Sequence, residues 1–223
     1  MPARPTFTRL VIAAVCSAAF LYGCSASPEA SRANAVPAAM ATTGSTWAVD
    51  AKQSNLNFVT TKAGQPGVGG IDEVQSFNSF SGGLSPQGQI RLAIDLASVK
   101  TGVDIRDERI QNMLFNVKVT PQAVFTAQLG AAALRDMAKP GLQNVEVDGQ
   151  LSIAGQSKPV KAMLQINRLN AGQLVVATRA PIVVNASDFG LRSGVEAMRE
   201  IMGLNFLSAS APVTFNLLLN TKS

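Results

Sequence analysis

The residues of this chain that could do covalent or acid–base chemistry are few. The 223 residues include no histidine. That removes the imidazole base of nucleophilic triads and the commonest metal ligand. No Gly-x-Ser-x-Gly elbow presents a serine. Asp104, Asp107 and Glu108 lie close together, but they open a helical pattern, where carboxylates suit the positive end of the helix dipole better than an acid/base pair. Residues 64–70, Gly-Gln-Pro-Gly-Val-Gly-Gly, look at first like a phosphate cradle. Such a cradle needs a helix start directly behind it, and none follows, so a hairpin loop is expected. No catalytic residue, no metal ligand set and no cofactor is expected. What remains is two cysteines, Cys16 and Cys24, and a large apolar inventory.

The chain is 47% hydrophobic, with a formal charge of +5. The basic residues form no run and no stripe interleaved with aromatics, so the surplus reads as solvated surface and no nucleic-acid partner is expected. A weak attraction to anionic membrane surface fits the same charge.

Arg4 and Arg9 precede an apolar run, residues 10–22, that is too short for a comfortable membrane span. The run ends in Leu21-Tyr22-Gly23-Cys24. This resembles the signal of bacterial lipoproteins, in which cleavage falls before the cysteine and its sulfur is acylated. The resemblance implies a signal peptide over residues 1–23 and lipid attachment at Cys24. Cys16 would leave with the signal, so the mature chain holds no disulfide. Residues 24–44 are rich in Ala, Ser and Pro and read as a flexible tether with a reach of about 25 Å. Ser25, standing where aspartate would signal retention, implies an outer-membrane anchor facing the periplasm. Residues 45–223 are left as one folded domain.

The elements of that domain follow from its periodicities. Ile105, Ile110, Met113 and Leu114 fall near one face and predict an amphipathic helix over about residues 103–115. Strand alternation is clearest at Ile90, Leu92, Ile94 and Leu96. It recurs at Ala123, Phe125, Ala127 and Leu129, and at Val145, Val147, Leu151 and Ile153. It returns at Val160, Ala162, Leu164 and Ile166, and closes with Val213, Phe215, Leu217 and Leu219. Gly82 and Gly83 predict a bulge or tight bend, and Pro181 an edge or bulge. Residues 137–142 predict a turn, and residues 195–202 a second short helix. About eight strands without βαβ units give an all-β, antiparallel sandwich or barrel. The inward stripe comprises Phe58, Phe77, Phe80, Ile90, Leu92, Ile94, Phe125, Leu164, Ile166, Phe215 and Leu217. It fits either a packed core or a long apolar cavity. Met113, Met198 and Met202 would supply adaptable walls at the mouth of a cavity, or ordinary helix packing.

Five segments carry a family resemblance. They are Trp47-Ala48-Val49-Asp50 with Ser54-x-Leu56-x-Phe58; residues 74–82 around Phe77 and Phe80; and Ser98-Val99-x-Thr101-Gly102 through Ile105-Arg106-Asp107 to Pro121-x-Ala123-x-Phe125. The remaining two are Gly149-x-Leu151-x-Ile153-x-Gly155-x-x-Lys158-Pro159-Val160 and Ser187-Asp188-Phe189-Gly190. In this order they resemble the YceI-like family over residues 46–220. The resemblance implies a lipocalin-like β-barrel that binds polyisoprenoid or a similar apolar lipid. The stripe above, together with Phe189, Met113, Met198 and Met202, would then line its cavity. The family's usual histidines are replaced here by Gln53 and, near the end of the first long strand, Lys62.

Two functions follow. The first is a tethered lipid carrier or reservoir. The second is a non-catalytic envelope stress or interaction protein on a packed barrel, with residues 62–74 and the helix face of Arg106, Asp107, Glu108 and Arg109 as its partner surface. Arg106 is expected to pair with an acidic or carbonyl group, or to meet a ligand headgroup. Asp188 is expected to serve a turn. A homodimer is left open, with nothing to place its interface.

Overall fold

The computed structural model describes residues 47–222. The expected signal segment, the acylation site Cys24 and the tether lie outside the described residues. Eight long strands run up and down in chain order, and each pairs antiparallel with the next. They are β1 (Trp47–Val49 and Asn55–Ala63), β2 (Ile71–Phe77 and Phe80–Leu84), β3 (Gln89–Asp95 and Val99–Lys100) and β4 (Gln122–Gln128). The second half comprises β5 (Gly141–Ile153), β6 (Gln156–Asn170), β7 (Gln173–Thr178 and Ile182–Asn185) and β8 (Phe206–Leu207 and Ser210–Thr221). β8 returns to β1, with Trp47 opposite Thr221 and Phe58 opposite Val213, so the sheet closes into a barrel. Closure leaves every long strand a partner on each side and removes the open edges that promote aggregation.

The breaks within strands have local causes. In β1 the Asp50 side chain accepts a hydrogen bond from the Lys52 N–H and starts a 3-10 turn, Ala51–Gln53. In β7 the break falls at Pro181, which has no N–H for the ladder. Gly82 and Gly83 form no bulge. They lie inside the second arm of β2, in unbroken register with Leu92 and Arg91. Their role is close approach: a Cβ on Gly83 would run into the Trp47 carbonyl oxygen.

Helices cover the two ends. At one end, the floor, α2 (Ala131–Met137) connects β4 to β5. It occupies the stretch just before the expected turn, and Gly141 already begins β5. At the other end, the mouth, lie α1 (Asp104–Arg109) and α3 (Arg192–Ile201). The predicted single helix over 103–115 is α-helical only as far as Arg109; Ile110–Phe115 is a π-turn. The turn ends at Asn116, which is left-handed at φ 49°, a conformation asparagine tolerates. The π-turn packs on α3 at Gly194, where a Cβ would sit 3.0 Å from the Leu114 Cα and the Met113 carbonyl.

Candidate ligand cavity

The alternation that builds the barrel also lines it. Inward residues from all eight strands surround an apolar cavity of about 290 Å³. Such a space is near the lower end of small-molecule sites, typically about 300–1,000 Å³. A cavity lined by Leu, Ile and Phe gives water few partners and favours apolar guests.

Of the residues expected from sequence, Phe58, Phe77, Ile90, Leu92, Ile94, Phe125, Leu164, Ile166, Phe189, Met198, Met202, Phe215 and Leu217 line this space. Phe58 and Phe77 stack with ring centroids 5.2 Å apart. Two expected residues do not line it. Phe80 opens the second arm of β2 opposite Ile94 and is consumed in the packed core. Met113 is 38% exposed, because the π-turn carries an extra residue per turn and swings it off the face that Ile110 and Leu114 share. Ile105, in the regular turn of α1, falls well off the Ile110 face and is exposed, whereas Arg106, four residues before Ile110, shares that face and reaches the cavity.

The two ends of the cavity differ in chemistry. At the floor it is bounded by buried Leu129 and Met137. The Arg168 guanidinium lies 5.3 Å from the Trp47 ring centroid, a cation–π geometry, and donates to the Met137 carbonyl at 3.4 Å. At the mouth, the inward stripes of β1 and β2 turn polar: Thr60 and Lys62 follow Phe58, and Gln75 and Glu73 precede Phe77. Glu73 bridges Lys62 at 2.8 Å and Arg106 at 2.6 Å, and Arg106 also donates to the Thr101 carbonyl at 2.7 Å. Arg106 therefore meets both an acidic group and a carbonyl. Partial exposure of Lys62 (22%) and Glu73 (29%) marks this end as the one that meets solvent.

Thr60, Glu73 and Gln75 escaped the sequence reading, although the signal was present as period two. The alternation Leu56, Phe58, Thr60, Lys62 continues inward, and Glu73, Gln75, Phe77 matches it across the ladder. Of residues 62–74, expected as a partner surface, 64–72 are exposed, while Lys62 and Glu73 lie on the cavity wall. Asp107 is not a surface residue either. It is 3% exposed and accepts both the N–H (2.8 Å) and the hydroxyl (2.6 Å) of Thr101, with Lys100 at 3.3 Å. Asp188 lies in the 3-10 turn Ala186–Phe189, whose Asn185 side chain accepts from the Ser187 N–H.

Both mouth carboxylates titrate low. Desolvation alone would raise Glu73, but its bonds to Lys62 and the charges of Arg106 and Lys62 outweigh that and hold it below the ordinary range. Asp107 behaves alike, with desolvation overcome by the two Thr101 bonds and by Lys100. Among the described residues, no three His, Cys, Asp or Glu side chains come together as a metal site.

A closed eight-strand antiparallel barrel around an apolar cavity defines a lipocalin-like architecture. The YceI-like domain model matches residues 47–219, and the chain belongs to that family. The polyisoprenoid-binding domain from Saccharophagus degradans, implicated in plant cell wall breakdown, is 31% identical. The match covers 80% of this chain and 99% of that one, with a TM-score of 0.73. Burkholderia cenocepacia BcnA shares the fold at 20% identity, covering 76% and 98% of the two chains, with a TM-score of 0.53. The Campylobacter jejuni YceI protein shares it at 19% identity, covering 67% and 85%, with a TM-score of 0.50. No curated protein matches significantly.

Proposed function

We propose that this protein is a non-catalytic carrier or reservoir for a polyisoprenoid or similar long apolar lipid, anchored to the bacterial envelope through acylated Cys24. The observation that carries the reading is the apolar cavity, which runs from Met137 at the floor to Arg106 at the mouth. The Saccharophagus degradans domain, a polyisoprenoid binder at 31% identity, supports the same ligand class.

The energetics suit exchange. Burial stabilises a chain by about 0.8 kcal/mol per CH₂ relative to water. Relative to a bilayer the chain gains almost nothing, since acyl tails are equally apolar. Loading from a membrane and unloading into one are therefore close to balanced, and selectivity must come from cavity shape and from the polar mouth. Trp47 lies at the floor, so an anchor upstream of it would join the end opposite the mouth. On this reading the protein sits on the outer membrane, faces the periplasm, and needs neither metal nor organic cofactor.

The test is incubation with a total envelope lipid extract, repurification, and mass spectrometry of the extracted ligand. A prenyl species at about one per barrel is expected. A barrel that returns empty, or fills with phospholipid fatty chains in proportion to their abundance, would contradict the polyisoprenoid assignment.

A further inference from the structure

The cavity wall carries two buried side-chain polar atoms without a partner among the described residues, Gln75 Oε1 and Arg106 Nε. Gln75 is 3% exposed and faces inward from β2 next to Phe77. Its amide donates to the Thr60 hydroxyl at 3.4 Å, which leaves the carbonyl end bare. Arg106 is fixed on two sides by Glu73 and the Thr101 carbonyl, so its remaining N–H edge has a set direction. Both line the same end of the cavity: Glu73, the ion-pair partner of Arg106, is the next inward residue to Gln75, about 6.7 Å along the strand. Buried polar groups are normally paired, and one without a partner is costly until something meets it.

The two unpaired atoms are one acceptor and one donor, set at the end of an apolar cavity. A hydrocarbon end satisfies neither. A carbonyl end accepts from Arg106 but offers nothing to Gln75. A phosphate dianion is drawn to Lys62 and Arg106 but brings acceptors only, so it leaves the Gln75 carbonyl unpaired with negative charge set against it. A hydroxyl both donates and accepts. We propose that Gln75 and Arg106 form a headgroup-recognition pair that selects long apolar chains ending in a hydroxyl, an alcohol or a phenol. The proposal rests on the apolar-ligand reading above and names the chemical end of that ligand.

The test uses the full chain with Cys24→Ser, which keeps acyl chains out of the extract. It is incubated with an equimolar mixture of farnesol, farnesal and farnesene, desalted, and the retained compounds are quantified by gas chromatography. The alcohol should be retained about tenfold over each of the others. Gln75→Met should still retain farnesene, should bring the alcohol preference within about twofold, and should raise the ligand-free melting temperature, because an unpaired carbonyl is gone. Arg106→Lys, which keeps the charge opposite Glu73 but lacks the Nε edge, should lose the preference as well. Equal retention of the three compounds by the Cys24→Ser chain would overturn the proposal. So would farnesal matching farnesol, which would mean a donor-only site with the amide turned. A Gln75→Met protein that melts lower and keeps its preference would assign Gln75 a structural role instead. Retention of none of the three would sink the apolar-ligand reading itself.

Discussion

The floor and the mouth of this barrel are built from the same eight strands, yet they solve different problems. At the floor the lining is apolar but for Arg91, and a small residue lets strands close tightly where Gly83 meets the Trp47 carbonyl. α2 and the Arg168–Trp47 contact complete a dry end. At the mouth the inward positions become Thr60, Lys62, Glu73 and Gln75, and the cover is a π-turn resting on one glycine of α3. A continuous apolar stripe closes a barrel. A polar end to the same stripe, under a short and irregular cover, leaves a place where a ligand's head can be read. Floor substitutions should therefore act on stability, and mouth substitutions on exchange and selectivity.

The largest expected effect is at the floor. Gly83→Ala should cost about 3 kcal/mol by forcing β1 and β2 apart, measured by urea denaturation. A loss below about 1 kcal/mol would show that the floor is not tightly closed. Next is Asp107→Asn at the mouth, which removes the charge that gathers Thr101 and Lys100; about 2 kcal/mol is expected. The pH profile sharpens this. Glu73 and Asp107 both titrate lower when folded than unfolded, so their stabilisation is full above the unfolded values, about pH 4–5. It is lost as pH falls through the lowered folded values. Melting temperature should drop on the acid side, and Asp107→Asn should flatten that drop. Gly194→Ala should cost only about 1 kcal/mol, yet speed lipid release several-fold in a vesicle-transfer assay by lifting the π-turn. Unchanged release would mean that the cover does not gate the cavity. The smallest effect is Arg168→Ala, about 0.5–1 kcal/mol from the cation–π contact, with release unaffected.

The wall was legible in the sequence and the two ends much less so, for physical reasons. Ile90, Leu92, Ile94 and Leu96 alternate without interruption, and period two fixes which face is buried. The hairpin from Val145 to Ile166 reads the same way. At the mouth, Thr60, Lys62, Glu73 and Gln75 hold the period but not the hydrophobicity, so a template of apolar-in and polar-out loses them. Met113 leaves the helical face because the 3.6-residue spacing gives way to a π-turn, whose inserted residue the hydrophobic pattern does not announce. α2 has only seven residues, and its Ala-rich start gives no clear amphipathic stripe. Phe80 keeps the inward register but lies where the core is packed, a distinction of space and not of pattern.

The most direct measurement of the central claim is native mass spectrometry of the full Cys24→Ser chain, purified without detergent and exposed to a long-chain prenol. The account predicts a discrete added mass of one prenol per barrel, saturating at that ratio. A bare protein mass at every prenol concentration would contradict it and leave the barrel as a scaffold whose cavity takes no lipid.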